Sequence, residues 1–177
     1  MEYCIRPCTE KQLPEILDIF NDAILNSTAL YDYKPRTAES MRFWYAAKQA
    51  GNYPIIGIFN ADDTLLGFTS YGSFRNWPAY KYSVEHSIYI RSDYRGNGLG
   101  RLLLKEIVKS AEEQDYHVMI GGIDASNIVS IRLHEKEGFE FCGKIRHAGY
   151  KFGRWLDLSF YQKILQTPEY PEEGDKG

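Results

Sequence analysis

A turn rich in glycine joins a predicted strand to a predicted helix near the middle of the chain. The turn has the sequence RGNGLG at residues 95–100, after an apolar strand at residues 84–90 and before a helix with one apolar face. A helix start leaves backbone N–H groups unpaired and carries the positive end of the helix dipole. Glycines let a chain approach an anion closely, and Arg95 and Arg101 add positive charge. The turn therefore predicts a phosphate or pyrophosphate site in a fold that alternates strands and helices.

Two common nucleotide-binding motifs fit this turn poorly. A P-loop needs lysine and then serine or threonine after the last glycine, and Arg101 and Leu102 stand there instead. A Rossmann turn needs a glycine at position 101 and a place near the start of the fold. This turn instead directly follows a run of three predicted antiparallel strands, at residues 54–59, 65–71 and 84–90. A glycine-rich turn that binds no ligand is the alternative.

The order of predicted elements indicates a mixed sheet. Thr9 and Thr37 are typical helix caps, and Gly138 is typical of the position after a helix. The order is strand, two helices, three strands, helix, strand, helix and two strands, which predicts an α/β fold with helices on both faces of a mixed sheet. The predicted strands cover residues 3–7, 54–59, 65–71, 84–90, 117–123, 139–143 and 155–165.

Length and charge exclude several classes of protein. The 177 residues suffice for one domain, which we expect over residues 1–165, followed by a flexible acidic tail over residues 166–177. The formal net charge is -3, and the tail accounts for all of it. The rest of the chain therefore lacks the surplus of cations that bulk nucleic-acid binding requires. No apolar run approaches the roughly 18 residues that a membrane span needs.

The cysteines favour a reduced protein without a metal. Cys4, Cys8 and Cys142 are an odd number, and they follow no metal-ligand spacing. We therefore expect free thiols, no metal and a cytoplasmic location.

Several motifs in order along the chain resemble one enzyme family. The RGNGLG turn and its long amphipathic helix look like the acetyl-CoA signature of the GCN5-related N-acetyltransferases, the GNAT superfamily. DASNIVSIRLHEKEGF at residues 124–139 is similar to that family's Asn-to-Gly-Phe segment. FRNWPAY at 74–80, VEHSIY at 84–89 and KFGRWLD at 151–157 resemble one branch, the phosphinothricin and methionine sulfoximine acetyltransferases. The resemblance implies the GNAT acyl-CoA N-acyltransferase fold.

The resemblance also implies acetyl-CoA as co-substrate, with direct transfer of its acetyl group to an amine. The pyrophosphate would lie on the glycine turn, and the pantetheine arm would pair with the preceding strand like an added strand. Asn127 would bond a pantetheine amide, a role compatible with capping a helix. The cofactor-binding residues implied are Ile88, Tyr89, Ile90, Arg95, Gly96, Asn97, Gly98, Leu99, Gly100, Arg101, Asn127 and Ser130.

Two side chains are the candidates for proton transfer. Glu85 interrupts an apolar strand, so it is either a solvated neighbour of a sheet edge or a base in a cleft, and the resemblance favours the base. His134 stands where many members of the superfamily carry the tyrosine that protonates the thiolate, and histidine titrates near neutral pH. Tyr89, Tyr150 and Tyr161 are alternative proton donors that the sequence does not rank.

A loop before the catalytic strand suits an amino-acid substrate. Arg75 can pair with a carboxylate, and Trp77 can cover a small side chain. A solvated loop with one packed tryptophan is the alternative. The predicted substrate-binding residues are Arg75, Asn76, Trp77, Glu85, His86 and Ser87.

The resemblance implies a homodimer that acetylates methionine sulfoximine, methionine sulfone or phosphinothricin. Tyr31 and Tyr33, or Phe152 and Arg154, would close the pocket across a dimer contact. One alternative is acetylation of a polyamine or peptide amine. A cluster of acidic residues near the cleft would favour polyamines, but Glu85 is the one acidic residue that the sequence clearly places there. Another is a non-catalytic CoA-binding sensor, which the presence of both candidate catalytic residues disfavours.

Overall fold

The computed structural model describes residues 3–174, so Asp175, Lys176 and Gly177 of the predicted tail lie outside it. The order of strands and helices is the predicted one. None of the described helices combines the length and apolarity of a membrane span. The elements are β1 (Cys4–Pro7), α1 (Leu13–Asn26), α2 (Ala38–Ala50), β2 (Ile55–Phe59), β3 (Leu65–Ser73), β4 (Ser83–Ile90), α3 (Leu99–Glu113), β5 (Val118–Asp124), α4 (Ile128–Lys136), β6 (Glu140–Lys151) and β7 (Arg154–Ile164).

Side-chain caps fix the starts of the first two helices. Thr9 caps a short 3₁₀ turn that leads directly into α1, and Gln12 accepts a hydrogen bond from the backbone of Thr9 at 2.9 Å. Thr37 caps α2 in the same reciprocal way. Gly138 follows α4 with a φ of 83°, the left-handed conformation expected of a glycine after a helix. These three predictions are confirmed.

One sheet contains the seven described strands, in the order β1-β2-β3-β4-β5-β7-β6. Neighbouring strands are antiparallel except β4 and β5, which run parallel because α3 connects them. β4 pairs with β3 along most of its length, and Gly72 lies opposite Glu85. Its pairing with β5 covers Ser83, Val84 and Glu85 and ends there. The two parallel strands then diverge, and residues 86–90 have a strand neighbour on one side.

Helices cover both faces of the sheet, as predicted. α1 packs against Phe59, Leu65 and Phe68, and α3 packs against Ile58 and Leu66 on the other side. Consecutive residues such as Ile58 and Phe59 belong to opposite cores because strand side chains alternate. We call the side of α1 and α2 the first face. The side of α3, which α4 shares, is the second face.

The predicted extent of β6 is wrong. The prediction ended this strand at residue 143, but it continues to Lys151 as an edge strand paired with β7. Its side chains are mostly exposed, two register shifts interrupt its pairing, and His147 within the second shift has a φ of 53°. The second half of the strand therefore lacks the alternation of apolar and polar residues from which a strand is predicted. Phe152 and Gly153 both have positive φ and form the two-residue turn to β7.

The described part of the tail contacts the rest of the chain. The Thr167 hydroxyl donates to the Tyr116 carbonyl at 2.5 Å, and the Thr167 carbonyl lies 2.7 Å from Nδ1 of His117. The backbone N–H of Glu172 donates to the Tyr82 hydroxyl at 3.0 Å. The domain boundary after residue 165 and the flexibility of the tail stay predictions.

Candidate active site

The divergence of β4 and β5 opens a cleft of about 1280 Å³. Residues 85–90 of β4 and 121–124 of β5 form its floor, and the glycine turn lies at one end. The loop between α1 and α2 and the hairpin of β6 and β7 form a wall on the first face. Because the strands part, backbone N–H and C=O groups of β4 face this cleft without a neighbouring strand.

The glycine turn presents backbone to the cleft. Gly96 and Gly98 have φ angles of 80° and 78°, and a side chain at either position would meet no atom within 4 Å. Gly98 is the N-cap of α3, and its carbonyl already accepts from the Arg101 amide. The earlier amides of Leu99 and Gly100 therefore precede the helical ladder and are free to bind an anion.

The charged side chains of the turn are held by other parts of the chain. Arg95 lies 3.5 Å from Asp22, and Arg101 forms an ion pair with Glu137. Asn97 donates to backbone carbonyls of the turn itself. Among the predicted cofactor-binding residues, Asn97 and Arg101 do not line the cleft, and the other ten do. The roles of all twelve stay predictions.

Glu85 lies on the first face, at the point where the two strands part. Its Oε1 lies 2.9 Å from the place that a Cβ on Gly122 would occupy, so that glycine makes room for the carboxylate. Burial raises the pKa of Glu85, and the nearby charge of Arg75 opposes this. A partly desolvated carboxylate of raised pKa is suited to general-base chemistry.

His86 and His134 meet on the second face. His134 Nδ1 lies 2.7 Å from the Ser130 carbonyl oxygen, and its Nε2 lies 3.1 Å from His86 Nε2. A carbonyl only accepts, so Nδ1 of His134 carries the hydrogen. In the neutral pair, His134 Nε2 therefore accepts from the Nε2–H of His86.

The histidine pair is neutral near pH 7. Burial lowers the pKa of His86 to about 3, and the adjacent His134 contributes in the same direction. Burial also lowers the pKa of His134, and its bond to the Ser130 carbonyl opposes this. Nδ1 of His86 is buried without a hydrogen-bond partner. Within residues 3–174, no group of three or more His, Cys, Asp or Glu side chains is arranged to hold a metal ion.

Sequence reasoning missed the two glycines of β5. A Cβ on Gly121 would lie 3.1 Å from His86 Nε2 on the second face, just as one on Gly122 would meet Glu85 on the first. The pair therefore gives space to the candidate base on one face and to the histidines on the other. Two consecutive glycines inside an apolar strand were the available signal, because glycine in a strand often marks a close approach.

Asn127 caps α4 at the edge of the cleft. Its Oδ1 accepts from the backbone N–H of Ser130 at 3.1 Å. Both residues line the cleft. The capping role is confirmed, and contact with pantetheine stays a prediction.

Residues 75–77 of the predicted substrate loop do not line the cleft, although the charge of Arg75 acts on Glu85. Arg75 places its guanidinium over the Phe74 ring, 4.3 Å from the centroid, and Trp77 is 68% exposed. Asn76 is also exposed. His86 and Ser87 do line the cleft. The substrate-binding roles of these residues stay predictions.

Two of the four candidate proton donors line the cleft, namely His134 and Tyr89. Burial raises the pKa of Tyr89 to about 12. Tyr161 packs in the core of the second face, and Tyr150 stacks edge-on against Trp155. Proximity to the cleft therefore favours His134 and Tyr89.

A buried lysine joins the two parts of the first-face wall. The ammonium of Lys151, at the end of β6, donates to the carbonyls of Ile24, Ser27 and Leu30 at 2.6, 2.9 and 2.6 Å. This clamp fixes the hairpin to the end of α1 and the following loop. The tyrosine hydroxyl of Tyr33 donates to a β6 carbonyl outside the cleft. The wall presents the side chains of Tyr31, Phe152 and Arg154 from the same chain.

A mixed sheet that parts between two parallel strands, with a glycine turn beside the gap, is the arrangement that the resemblance to the GNAT class of acyl-CoA-dependent transferases predicts. Residues 14–139 match the family model that is described as "Acetyltransferase (GNAT) family". The chain belongs to this family.

Relatives and solved structures agree with this assignment. The L-methionine sulfoximine/L-methionine sulfone acetyltransferase of Pseudomonas paraeruginosa is 41% identical over 165 residues, which cover 93% of this chain and 96% of the relative. An N-acetyltransferase from Staphylococcus aureus Mu50 has a TM-score of 0.90 and 43% identity, covering 93% and 99% of the two chains. The phosphinothricin acetyltransferase of Sinorhizobium meliloti, in complex with acetyl-CoA, has a TM-score of 0.93 and 32% identity, covering 99% and 96%. The chain is therefore an N-acetyltransferase.

Proposed function

We propose that this enzyme transfers the acetyl group of acetyl-CoA to the α-amino group of a small amino acid or analogue. Methionine sulfoximine, methionine sulfone and phosphinothricin represent the substrate type, because relatives over nearly the whole chain carry these names. The observation that carries the chemistry is the position of Glu85, a half-buried carboxylate of raised pKa beside the gap between β4 and β5.

The residues of the cleft fit acetyl-CoA. The unpaired backbone of residues 86–90 suits an extended pantetheine arm, because its amides can pair like an added strand. The turn around Gly96 and Gly98 suits a pyrophosphate, because the space beside both glycines is open and neither puts a side chain in front of the amides of α3. Acetyl-CoA supplies the activated acetyl group, and the chain supplies its orientation.

Glu85 takes a proton from the substrate ammonium so that the neutral amine can attack. A backbone N–H of β4 that faces the cleft stabilises the negative charge that develops on the acetyl oxygen, an effect worth roughly 3–4 kcal/mol in other enzymes. Two protons leave the ammonium in each turnover, of which one ends on the CoA thiol and one in solvent.

His134 is the proposed donor of the proton to the thiolate. In the resting pair its Nδ1 hydrogen is held by Ser130 and its Nε2 accepts from His86. The ring must therefore first take the second proton that leaves the substrate amine, on Nε2, while His86 carries its hydrogen on the unpartnered Nδ1 instead. A negative thiolate nearby favours that charged form, because opposite charges raise the pKa of an imidazole. Tyr89 is the alternative donor on the cleft.

The cleft offers little to a polyamine. The carboxylates that line it are those of Glu85 and Asp124. Asp124 Oδ1 accepts two hydrogen bonds from Ser126 at 2.8 Å, and Oδ2 lies 3.9 Å from the Arg154 guanidinium. No hydrogen bond from the described residues reaches this buried Oδ2, but the carboxylate already faces the Arg154 cation, which leaves Glu85 as the carboxylate for a second ammonium group.

Free-thiol release from acetyl-CoA tests the proposal, with amino acids, sulfoximines and polyamines as acceptors. Glu85→Gln should lower kcat about 10²-fold or more while acetyl-CoA still binds, and Glu113→Gln on the exposed side of α3 is the matched control. In the wild type, kcat should fall toward acid pH as Glu85 is protonated, at a pH above the ordinary carboxyl range of about 4.3. Unchanged turnover of Glu85→Gln from about pH 6 to 9 would exclude Glu85 as the base.

A further inference from the structure

Lys151 is a buried lysine on a strand whose other side chains are mostly exposed. The residue is 5% exposed, and its ammonium donates to the three backbone carbonyls of Ile24, Ser27 and Leu30. An ammonium has three donors, so these bonds satisfy it completely. It takes part in none of the eight ion pairs formed within residues 3–174. Its charge is therefore bound by backbone carbonyls, and no step of the proposed mechanism uses it.

The three bonds close the C-terminal end of α1. Ile24 lies in its last turn, where backbone carbonyls have no partner within the helix, and Ser27 is its C-cap. A positive charge at this end is favourable because the helix dipole is negative there, and α1 has no basic residue in its last turn. Lys151 supplies that charge from β6. Because it also binds the Leu30 carbonyl, it fixes the loop after the helix as well.

The two residues before Lys151 contact the same loop. A Cβ on Gly149 would lie 3.0 Å from two ring atoms of Tyr31, so this glycine leaves the space in which the ring packs against β6. The Tyr150 carbonyl accepts from the Tyr33 hydroxyl at 2.7 Å. Three consecutive residues of the edge strand therefore hold the loop that follows α1.

This loop borders the part of the cleft that contains the candidate base. Residues 27–31 line the cleft, as does Glu85. Glu85 and Tyr89 point to the same face of β4, because the side chains of a strand alternate. Burial raises the pKa of Tyr89 to about 12, and the charges of Asp32 and Glu85 add to this rise. Charges from the loop and from the candidate base therefore act on one hydroxyl, so an amine that reaches Glu85 lies near this loop.

We propose that Lys151 is a positioning residue for the acceptor amine, because it holds residues 27–31 where they form the wall of the cleft. The inference rests on the proposed function, since it assumes that the amine lies at Glu85. A loop that is already ordered costs the amine no ordering entropy on binding, so loss of the three bonds weakens binding of the amine. The groups proposed for acetyl-CoA belong to β4 and the glycine turn, whereas Lys151 joins β6 to α1 and its loop.

Two variants remove the bonds by different amounts. Lys151→Met has nearly the same length and no donor, and Lys151→Gln keeps the two donors of an amide without the charge. Lys163→Met is the matched control, because Lys163 donates to the Glu137 carbonyl at 2.5 Å, at the end of α4. Thiol release gives KM for L-methionine sulfoximine and for acetyl-CoA. Hydrogen exchange followed by mass spectrometry reports the order of residues 27–31, and thermal unfolding reports the fold.

The expected result is a selective loss of affinity for the amine. Lys151→Met should raise KM for the sulfoximine about tenfold and KM for acetyl-CoA less than about twofold, with faster exchange at residues 27–31. Lys151→Gln should give an intermediate KM, about threefold above the wild type, and it decides the question if Lys151→Met does not fold. Lys163→Met should lower Tm and leave KM for the sulfoximine unchanged.

Three results would overturn the inference. The first is a wild-type KM for the sulfoximine in the folded Lys151 variants. The second is an equal rise of KM for both substrates, and the third is the same rise in Lys163→Met, which would mark a general loss of stability.

The proposed function can fail separately. If the wild type acetylates spermidine and no amino acid, the proposed substrate class is wrong, and the same comparison with spermidine still tests Lys151. A KM for spermidine that rises in Lys151→Met and not in Lys163→Met supports the inference, and equal values in the wild type and Lys151→Met overturn it.

Discussion

Gly122→Ala tests whether the position of one carboxylate controls the rate. The new Cβ would lie 2.9 Å from Glu85 Oε1, 3.4 Å from Leu158 Cδ1 and 3.8 Å from Phe160 Cε1. The two carbon contacts are ordinary, so the carboxylate is the group that must move, by about 0.5 Å. A misplacement of 1 Å can cost about 10²-fold in rate, so kcat should fall about tenfold.

The fold should tolerate this change. Gly122 is not among the glycines with positive φ, so alanine fits its backbone, and the end of a glutamate side chain shifts at little cost. We expect a Tm within a few degrees of the wild type. The assay is thiol release with acetyl-CoA and methionine sulfoximine across pH, with thermal unfolding measured in parallel.

Gly121→Ala is the matched control on the other face. Its Cβ would lie 3.1 Å from His86 Nε2 and 3.4 Å from two atoms of His134, so it displaces the histidines and not the carboxylate. The pH at which kcat falls on the acid side should therefore shift in Gly122→Ala, and it should equal the wild-type value in Gly121→Ala. Wild-type kcat and an unmoved acid limb in Gly122→Ala would refute the reasoning.

Three further predictions concern the histidine pair, the turn and the assembly. His86→Gln keeps a donor to His134 Nε2 and His86→Leu removes it, so ¹⁵N NMR should show a hydrogen-bonded Nε2 in the first variant and an unbonded Nε2 in the second, with the hydrogen on Nδ1 in both. Gly98→Ala puts a side chain at a φ of 78° and should raise KM for acetyl-CoA about tenfold in steady-state assays, with KM for the amine unchanged. Light scattering should give the mass of a dimer, and Trp155→Glu, on the exposed apolar side of β7, should give a monomer.

Each of these predictions has a contrary outcome. Identical imidazole spectra of the glutamine and leucine variants would show that His86 does not donate to Nε2 of His134. A Gly98→Ala enzyme with wild-type KM for acetyl-CoA would remove the turn from the binding site. A monomeric mass for the wild type at micromolar concentration would contradict the assembly.

The order of elements followed from local signals that agree with one another. Thr9 and Thr37 each offer an oxygen to a helix start, and Gly138 accepts the left-handed backbone that ends one. Such signals act within four residues and need no knowledge of the rest of the fold. β6 was underestimated because its exposed edge position removes the alternation of apolar residues on which strand prediction depends.

The site was accessible to sequence reasoning only in part. Glu85 stands out as a charge inside an apolar strand, and the sequence therefore singles it out. The space around Gly121 and Gly122 instead depends on side chains brought from other strands and from α4.

The short pairing between β4 and β5 has a consequence for stability. Three residue pairs join the antiparallel half of the sheet to the half that ends in β6, fewer than at any other described strand boundary. A ligand that fills the gap holds the two halves together and at 100 times its Kd adds about 2.7 kcal/mol to the free energy of unfolding. The lifetime of this protein in a cell should therefore rise and fall with the supply of the thioester, and amide exchange of residues 86–90 should slow when it is added.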